Sequence, residues 1–133
     1  MHVPLTEQTR GLISAEILSE MKPSAFVLNT ARGGIVDQEA LASALHEGRI
    51  AGAGIDVFDP ERPPGDHPLL GAPNLIATPH VAFYSEESVL DLERLAAENV
   101  AAVLSGRRPA HVVNPEVFES PRWSNLRQAE TTQ

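Results

Sequence analysis

Cysteine is missing from all 133 residues, which excludes disulfides and thiolate metal sites and fits a reducing compartment. Basic side chains are scarce: 10 stand against 18 acidic ones, for a formal charge of −8, and no basic cluster exceeds Arg107-Arg108. A nucleic-acid backbone or an anionic membrane surface needs a basic face, so neither is an expected partner. The histidines are His2, His46, His67, His80 and His111. None pairs with another at metal-ligand spacing, so no metal site is expected. No apolar run approaches the roughly 20 residues of a membrane span, and the N-terminus does not read as a secretory signal. These absences point to a soluble, cytoplasmic protein.

The chain does have enough apolar content, 42%, for one compact core, and its length is short for two ordinary domains. Ser14 reads as the N-cap of a short helix through Met21, stopped by Lys22-Pro23. The run Ala25 to Leu28 follows as a strand. Asp37 caps a second helix through Leu41, Ala44 and Leu45, closed by Gly48, and a second strand spans about Ala51 to Val57. The small residues Ala51, Gly52, Ala53 and Gly54 imply that another element, expected to be a helix, packs close to that strand. Strand, helix and strand with short connections read as a crossover unit. The expected fold is therefore α/β, with a parallel sheet covered by helices on both faces.

Pro60, Pro63, Pro64, Pro68 and Pro73 exclude a central strand or long helix from Phe58 to Pro73, leaving an ordered loop of about 16 residues. A third strand, Leu75 to Thr78, leads to Pro79 and His80. Ser85 then caps a long helix to about Leu104, with Glu86 and Glu87 at its positive end and Gly106 past its close. Val89, Leu92, Leu95, Ala96, Val100, Val103 and Leu104 recur at helical spacing and predict one buried face. The stretch His111 to Phe118 is apolar enough to dock, and nothing beyond Trp123 signals order.

Ligands of parallel open sheets bind at the carboxyl edge of the strands. Arg32, Asp56 and His80 each stand at the end of a predicted strand, and Glu61 lies on the loop leaving the second one. Arg32 carries a planar donor fork matched to a carboxylate, with Gly33 and Gly34 allowing a sharp turn and close approach to a ligand; a surface or capping arginine is the competing reading. His80 can exchange a proton near neutral pH, and Glu61 is the carboxylate that would favour its charged form. A satisfied structural histidine and a solvated loop acid are the plain alternatives. Asp56 would need donors if buried, from a ligand amide or nearby N–H groups, and otherwise reads as a turn or N-cap acid. His46, His67 and His111 are expected to be structural or exposed.

His2-Val3-Pro4-Leu5-Thr6, Met21-Lys22-Pro23, Asn29-Thr30-Ala31-Arg32-Gly33-Gly34, Ala53-Gly54-Ile55-Asp56-Val57-Phe58 with Glu61, and Thr78-Pro79-His80 resemble the NAD-dependent D-2-hydroxyacid dehydrogenases. The match runs from about His2 to Phe118. It implies a catalytic trio of Arg32 on the substrate carboxylate, His80 as proton donor or acceptor, and Glu61 holding the imidazole. It also implies cofactor contacts from Val3, Pro4, Thr9, Thr30, Ala31, Arg32, Asp56, His80 and Phe83, with Asp56 reaching the nicotinamide carboxamide. Pro73-Asn74-Leu75-Ile76 and His80 to Glu86 look most like the branch of the carboxyl-terminal binding protein co-repressors and their bacterial dehydrogenase relatives. Phe83 stands where many members have glycine, so it is expected to line the substrate pocket, unless it is a core aromatic.

The family's G-x-G-x-x-G fingerprint does not occur here, nor does the acid that separates NAD from NADP, so NAD is expected and NADP stays open. The resemblance implies the C-terminal half of a Rossmann-like doubly wound parallel sheet, followed by a long helix and a C-terminal tail. On that reading residues 1–105 form a partial NAD-binding domain and 106–133 a C-terminal segment. Met1 would stand inside a longer family sequence, and much of the pyrophosphate affinity would be absent. Two functions follow as expectations: part of a 2-hydroxyacid dehydrogenase that works with a complementing N-terminal half or as a homodimer, or a non-catalytic interaction module using helix 85–104, a region that is often a dimer surface in the family.

Overall fold

The structure is a computed structural model that describes residues 1–127. Its residues cluster into two compact units, Met1–Ala82 and Phe83 onward. The division falls ahead of the long helix, which the sequence groups with the sheet.

The first unit holds α1 (Ala15–Ser19), β1 (Phe26–Asn29), α2 (Gln38–His46), β2 (Gly52–Ile55) and β3 (Leu75–Ala77). The sheet is parallel throughout, in the order β1-β2-β3, with Phe26 opposite Gly52 and Ala53 opposite Leu75. Local chemistry sets the helix ends. The Ser14 hydroxyl accepts the Ile17 N–H and the Asp37 carboxylate accepts that of Ala40. Gly48 adopts a left-handed φ of +65° just past α2, a conformation any Cβ would strain. The proline-rich loop holds one 3-10 turn, Pro68–Gly71, capped by His67.

Strand periodicity decides where the core lies. Val27, Ala53 and Ile55 point to one face and pack with Leu18 of α1, with Leu41, Ala44 and Leu45 of α2, and with Leu69. Each fully buried leucine contributes about 1.5–3 kcal/mol. The opposite face is open: Phe26, Leu28 and Ile76 are 66%, 60% and 72% exposed. The expectation of helices on both faces is therefore corrected, since an apolar run records that a face wants cover without saying that the same unit supplies it. The expected helix against this strand is met at Ala53, which packs in one cluster with Leu41, Ala44 and Leu45 of α2, but not at Gly52 and Gly54. A Cβ on Gly54 would meet Leu28 Cδ2 at 2.8 Å, and one on Gly52 would meet the Asn74 carbonyl and the Phe26 ring. The Phe26 and Leu28 side chains of the adjacent strand and the Asn74 backbone carbonyl fill that space.

The second unit is dominated by α3 (Glu86–Leu104). Ser85 and Ser88 form a reciprocal capping box, and Glu86 and Glu87 sit in the first turn. The helix forms as its spacing predicts, but the expected buried face does not: none of its residues is buried, and Leu90, Leu92 and Leu104 are well exposed. Order also runs past Trp123, at least to Arg127. The Arg127 N–H bonds the Gly106 carbonyl, and Arg108 N–H bonds the Arg127 carbonyl in return. Arg108 also lies over the Phe118 ring at 4.4 Å. The rest of the tail expected to lack order, 128–133, falls outside the described residues. No described helix is long and apolar enough to cross a membrane.

Candidate active site

β1 ends on a buried amide that builds the turn after it. Asn29, 1% exposed, accepts the Ala31 N–H on Oδ1 at 3.1 Å and donates from Nδ2 to the Arg32 carbonyl at 2.9 Å. Both bonds satisfy a polar side chain that would otherwise be expensive to bury. They fold residues 30–32 into one conformation and leave the Arg32 guanidinium at the surface, donating to the Ala31 carbonyl.

Gly33 and Gly34 have no positive φ; they give clearance to the protein's own packing and also line the cavity shared by Arg32, Glu61 and His80. A Cβ on Gly33 would lie 2.1 Å from the Phe58 carbonyl carbon, and one on Gly34 would lie 2.9 Å from both Arg10 Nη1 and Asp59 Oδ2. The absent side chains let the segment after β2 lie directly on the Arg32 turn.

Asp56 sits at the end of β2 and organises the end of β3. It is buried, with Oδ1 accepting the Thr78 hydroxyl and the Val81 N–H, and Oδ2 accepting the Ala82 N–H. Its backbone carbonyl takes the His80 N–H at 2.8 Å. His80 has φ +58°, a region a β-carbon disfavours, and these bonds on both sides hold it there. Burial alone would raise the Asp56 pKa; the Thr78 hydroxyl, the Ala82 and Val81 N–H groups and the His80 charge outweigh it and hold the carboxyl below its ordinary 3.8. A depressed folded pKa contributes stability that is present above the unfolded value and lost as pH falls through the folded one. Urea midpoints should therefore drop as pH falls below about 4, and Asp56→Asn should flatten that part of the profile while lowering stability at pH 7 by about 2 kcal/mol. Parallel wild-type and variant slopes between pH 4 and 2 would count against this role.

Glu61 and His80 meet, with 2.8 Å between Oε1 and Nδ1. The pair is partly exposed, so its worth lies in orienting the ring rather than in stability. Arg32, Glu61 and His80 line one cavity of about 380 Å³, together with Leu5, Arg10 and Asp59. A guanidinium, an oriented imidazole and its carboxylate can bind an organic acid and move one proton at the same place.

Residues 1–82 match the D-isomer specific 2-hydroxyacid dehydrogenase NAD binding domain, ending where the first compact unit ends. The chain belongs to this dehydrogenase family. Glyoxylate reductase of Thermofilum pendens is 48% identical over 119 residues, covering 90% of this chain and 35% of that protein. The crystal structure of the TT0316 protein from Thermus thermophilus superposes with a TM-score of 0.79 at 46% identity, covering 84% of this chain and 36% of that one. The NAD-complexed D-isomer specific 2-hydroxyacid dehydrogenase of Lactobacillus delbrueckii ssp. bulgaricus gives a TM-score of 0.74 at 37% identity, covering 85% and 38%. The chain thus spans about a third of the length of the relatives it matches.

Within the dehydrogenase fold, the residues expected on the cofactor side divide by what already engages them. The Thr9 hydroxyl donates to the Pro4 carbonyl at 2.6 Å and accepts the Thr6 N–H, so it shapes its own turn. Val3, Pro4 and Thr30 are exposed and Ala31 is half-buried. Asp56 has three donors on its carboxylate, leaving about one of roughly four acceptor positions for a ligand amide. Phe83 opens the second unit, half exposed, its ring tilted against Tyr84 at 5.3 Å. His67 is structural, its Nδ1 accepting the Leu69 N–H.

Three residues that build the candidate site were given no role in the sequence reading. Asn29 carried a signal, a polar residue closing an apolar run. Arg10 and Asp59, 49 positions apart, carried none.

Proposed function

We propose that this chain is the catalytic side of a nicotinamide-dependent oxidoreductase that interconverts small D-2-hydroxy acids and 2-oxo acids. The observation that carries the reading is the Glu61–His80 contact of 2.8 Å in the cavity that Arg32 lines. Arg32 binds the substrate carboxylate as a two-pronged donor and fixes the adjacent carbonyl. Glu61 accepts the Nδ1–H of His80, which leaves Nε2 free to give its proton to the carbonyl oxygen in reduction or take it from the hydroxyl in oxidation.

Asp56 acts as the positioning residue that fixes the backbone of His80, and its remaining acceptor position and the exposed Thr30 suit the nicotinamide end of a dinucleotide. When bound, that cofactor supplies or accepts the hydride. NAD is the expected form, from the family of domain matched by residues 1–82. The donor set for a pyrophosphate is not in this sequence, which has no G-x-G-x-x-G, so the nucleotide's phosphates would be held by an upstream half. The name of the Thermofilum pendens relative makes glyoxylate the first substrate to test.

The experiment is reconstitution with a complementing N-terminal half, followed by NADH consumption with glyoxylate and with acetaldehyde, which lacks the carboxylate. The expected result is turnover of glyoxylate with negligible turnover of acetaldehyde, a preference that Arg32→Gln collapses by about a hundredfold. Equal use of both aldehydes would contradict the role of Arg32.

A second reading has its own observation: α3 exposes Leu90, Leu92, Val100 and Leu104, which suits an interaction or homodimer module without catalysis. A folded dimer that binds no cofactor and stays inactive in every complementation would favour it.

A further inference from the structure

The cavity that Arg32 lines contains a second guanidinium, Arg10, and a further acid, Asp59. Arg10 Nη1 lies 2.9 Å from Asp59 Oδ2, and this ion pair closes over Gly34, where a Cβ would stand 2.9 Å from both atoms. Glu61 is taken by His80. Arg32 bonds its neighbour's carbonyl, and among the described residues no acidic side chain forms an ion pair with it.

We infer that the Arg10–Asp59 pair is a charge filter that restricts the site to 2-oxo and 2-hydroxy acids carrying a single negative charge. The inference rests on Arg32 being the carboxylate anchor. With Arg10 paired to Asp59 and His80 paired to Glu61, the cavity has one cationic charge without an acidic partner among the described residues, on Arg32. One carboxylate cancels it. A second carboxylate on the same substrate meets Asp59 and Glu61, two like charges, and finds its nearest cation already engaged. Gly34 leaves room for the pair, since a Cβ there would make Arg10 or Asp59 shift.

A shift of selectivity towards dicarboxylates on loss of Asp59 is the consequence. Asp59→Asn removes the acid and frees Arg10, turning a repulsive wall into a second anion-binding group. The arginine Nε–H resonances of the labelled full chain can be followed by NMR during titration with pyruvate, and with oxaloacetate and 2-oxoglutarate, which place a second carboxylate at two distances. In wild type, Arg32 should respond to pyruvate while Arg10 responds to none of the three. In Asp59→Asn, Arg10 should respond to at least one dicarboxylate, and the dicarboxylate-to-pyruvate affinity ratio should rise about fivefold. Adding Arg10→Gln to that variant should abolish the gain. An unchanged ratio in Asp59→Asn, a gain that survives Arg10→Gln, or an Arg10 response already present in wild type overturns the filter while leaving Arg32 as the anchor. Silence of Arg32 towards every probe overturns the anchor, and the filter with it.

Discussion

Gly33→Ala should be the most damaging single methyl group in the first unit. Its Cβ would lie 2.1 Å and 2.2 Å from the Phe58 carbonyl carbon and oxygen and 2.5 Å from the Asp59 nitrogen. Those are backbone atoms, so no rotamer change relieves the clash; the strand-exit segment after the buried Val57 must move as a whole. Overpacking of this kind costs about 3 kcal/mol, which for a unit of this size lowers Tm by roughly 10–25 °C. Gly71→Ala is the control, because nothing lies within 4 Å of the added carbon, and it should leave Tm nearly unchanged. Thermal unfolding followed by circular dichroism compares the two. The displacement also moves Asp59 and the loop to Glu61, so Gly33→Ala should lose the His80 contact along with the stability. A Gly33→Ala protein melting with the wild type would show that this segment is free to slide.

His80→Gln should produce the largest loss of turnover. Glutamine keeps a polar group near Glu61 but cannot change protonation, so the step that needs a proton at the substrate oxygen loses its donor. General acid–base groups contribute about 10²–10⁴-fold, and kcat in the reconstituted protein should fall by that much. KM for the oxo acid should change little, because Arg32 is untouched. Glu61→Gln should fall less, about tenfold, since the ring remains while its orientation weakens. A raised KM with kcat unchanged in His80→Gln would indicate a binding role in place of proton transfer.

Much of this site was legible before the fold was known. The caps Ser14, Asp37 and Ser85 hold the helices that their side chains announce, because a side-chain oxygen before an apolar-periodic run is a local signal. The three strands end as expected beside Arg32, Asp56 and His80, so the parallel order carries these residues to one edge. What stayed hidden was non-local. An apolar run cannot say whether its second face is covered within the same unit, and neither Phe26, Leu28 and Ile76 on the sheet nor the exposed leucines of α3 are. Small residues in β2 told of close packing, expected from a helix; α2 supplies it at Ala53, while Phe26, Leu28 and the Asn74 carbonyl take the space at Gly52 and Gly54. Gly33 and Gly34 looked like turn formers and are clearance for the Phe58–Asp59 backbone and the Arg10–Asp59 pair.

The central claim is that a carboxylate-binding Arg32 and a Glu61-oriented His80 perform one reduction together. Its most direct test is NADH consumption with glyoxylate in the reconstituted protein, run side by side for wild type, Arg32→Gln and His80→Gln, with NADH binding measured by fluorescence in each. We predict turnover in wild type, a loss of about a hundredfold or more in both variants, and equal NADH binding in all three. Turnover in His80→Gln at the wild-type rate would contradict the account.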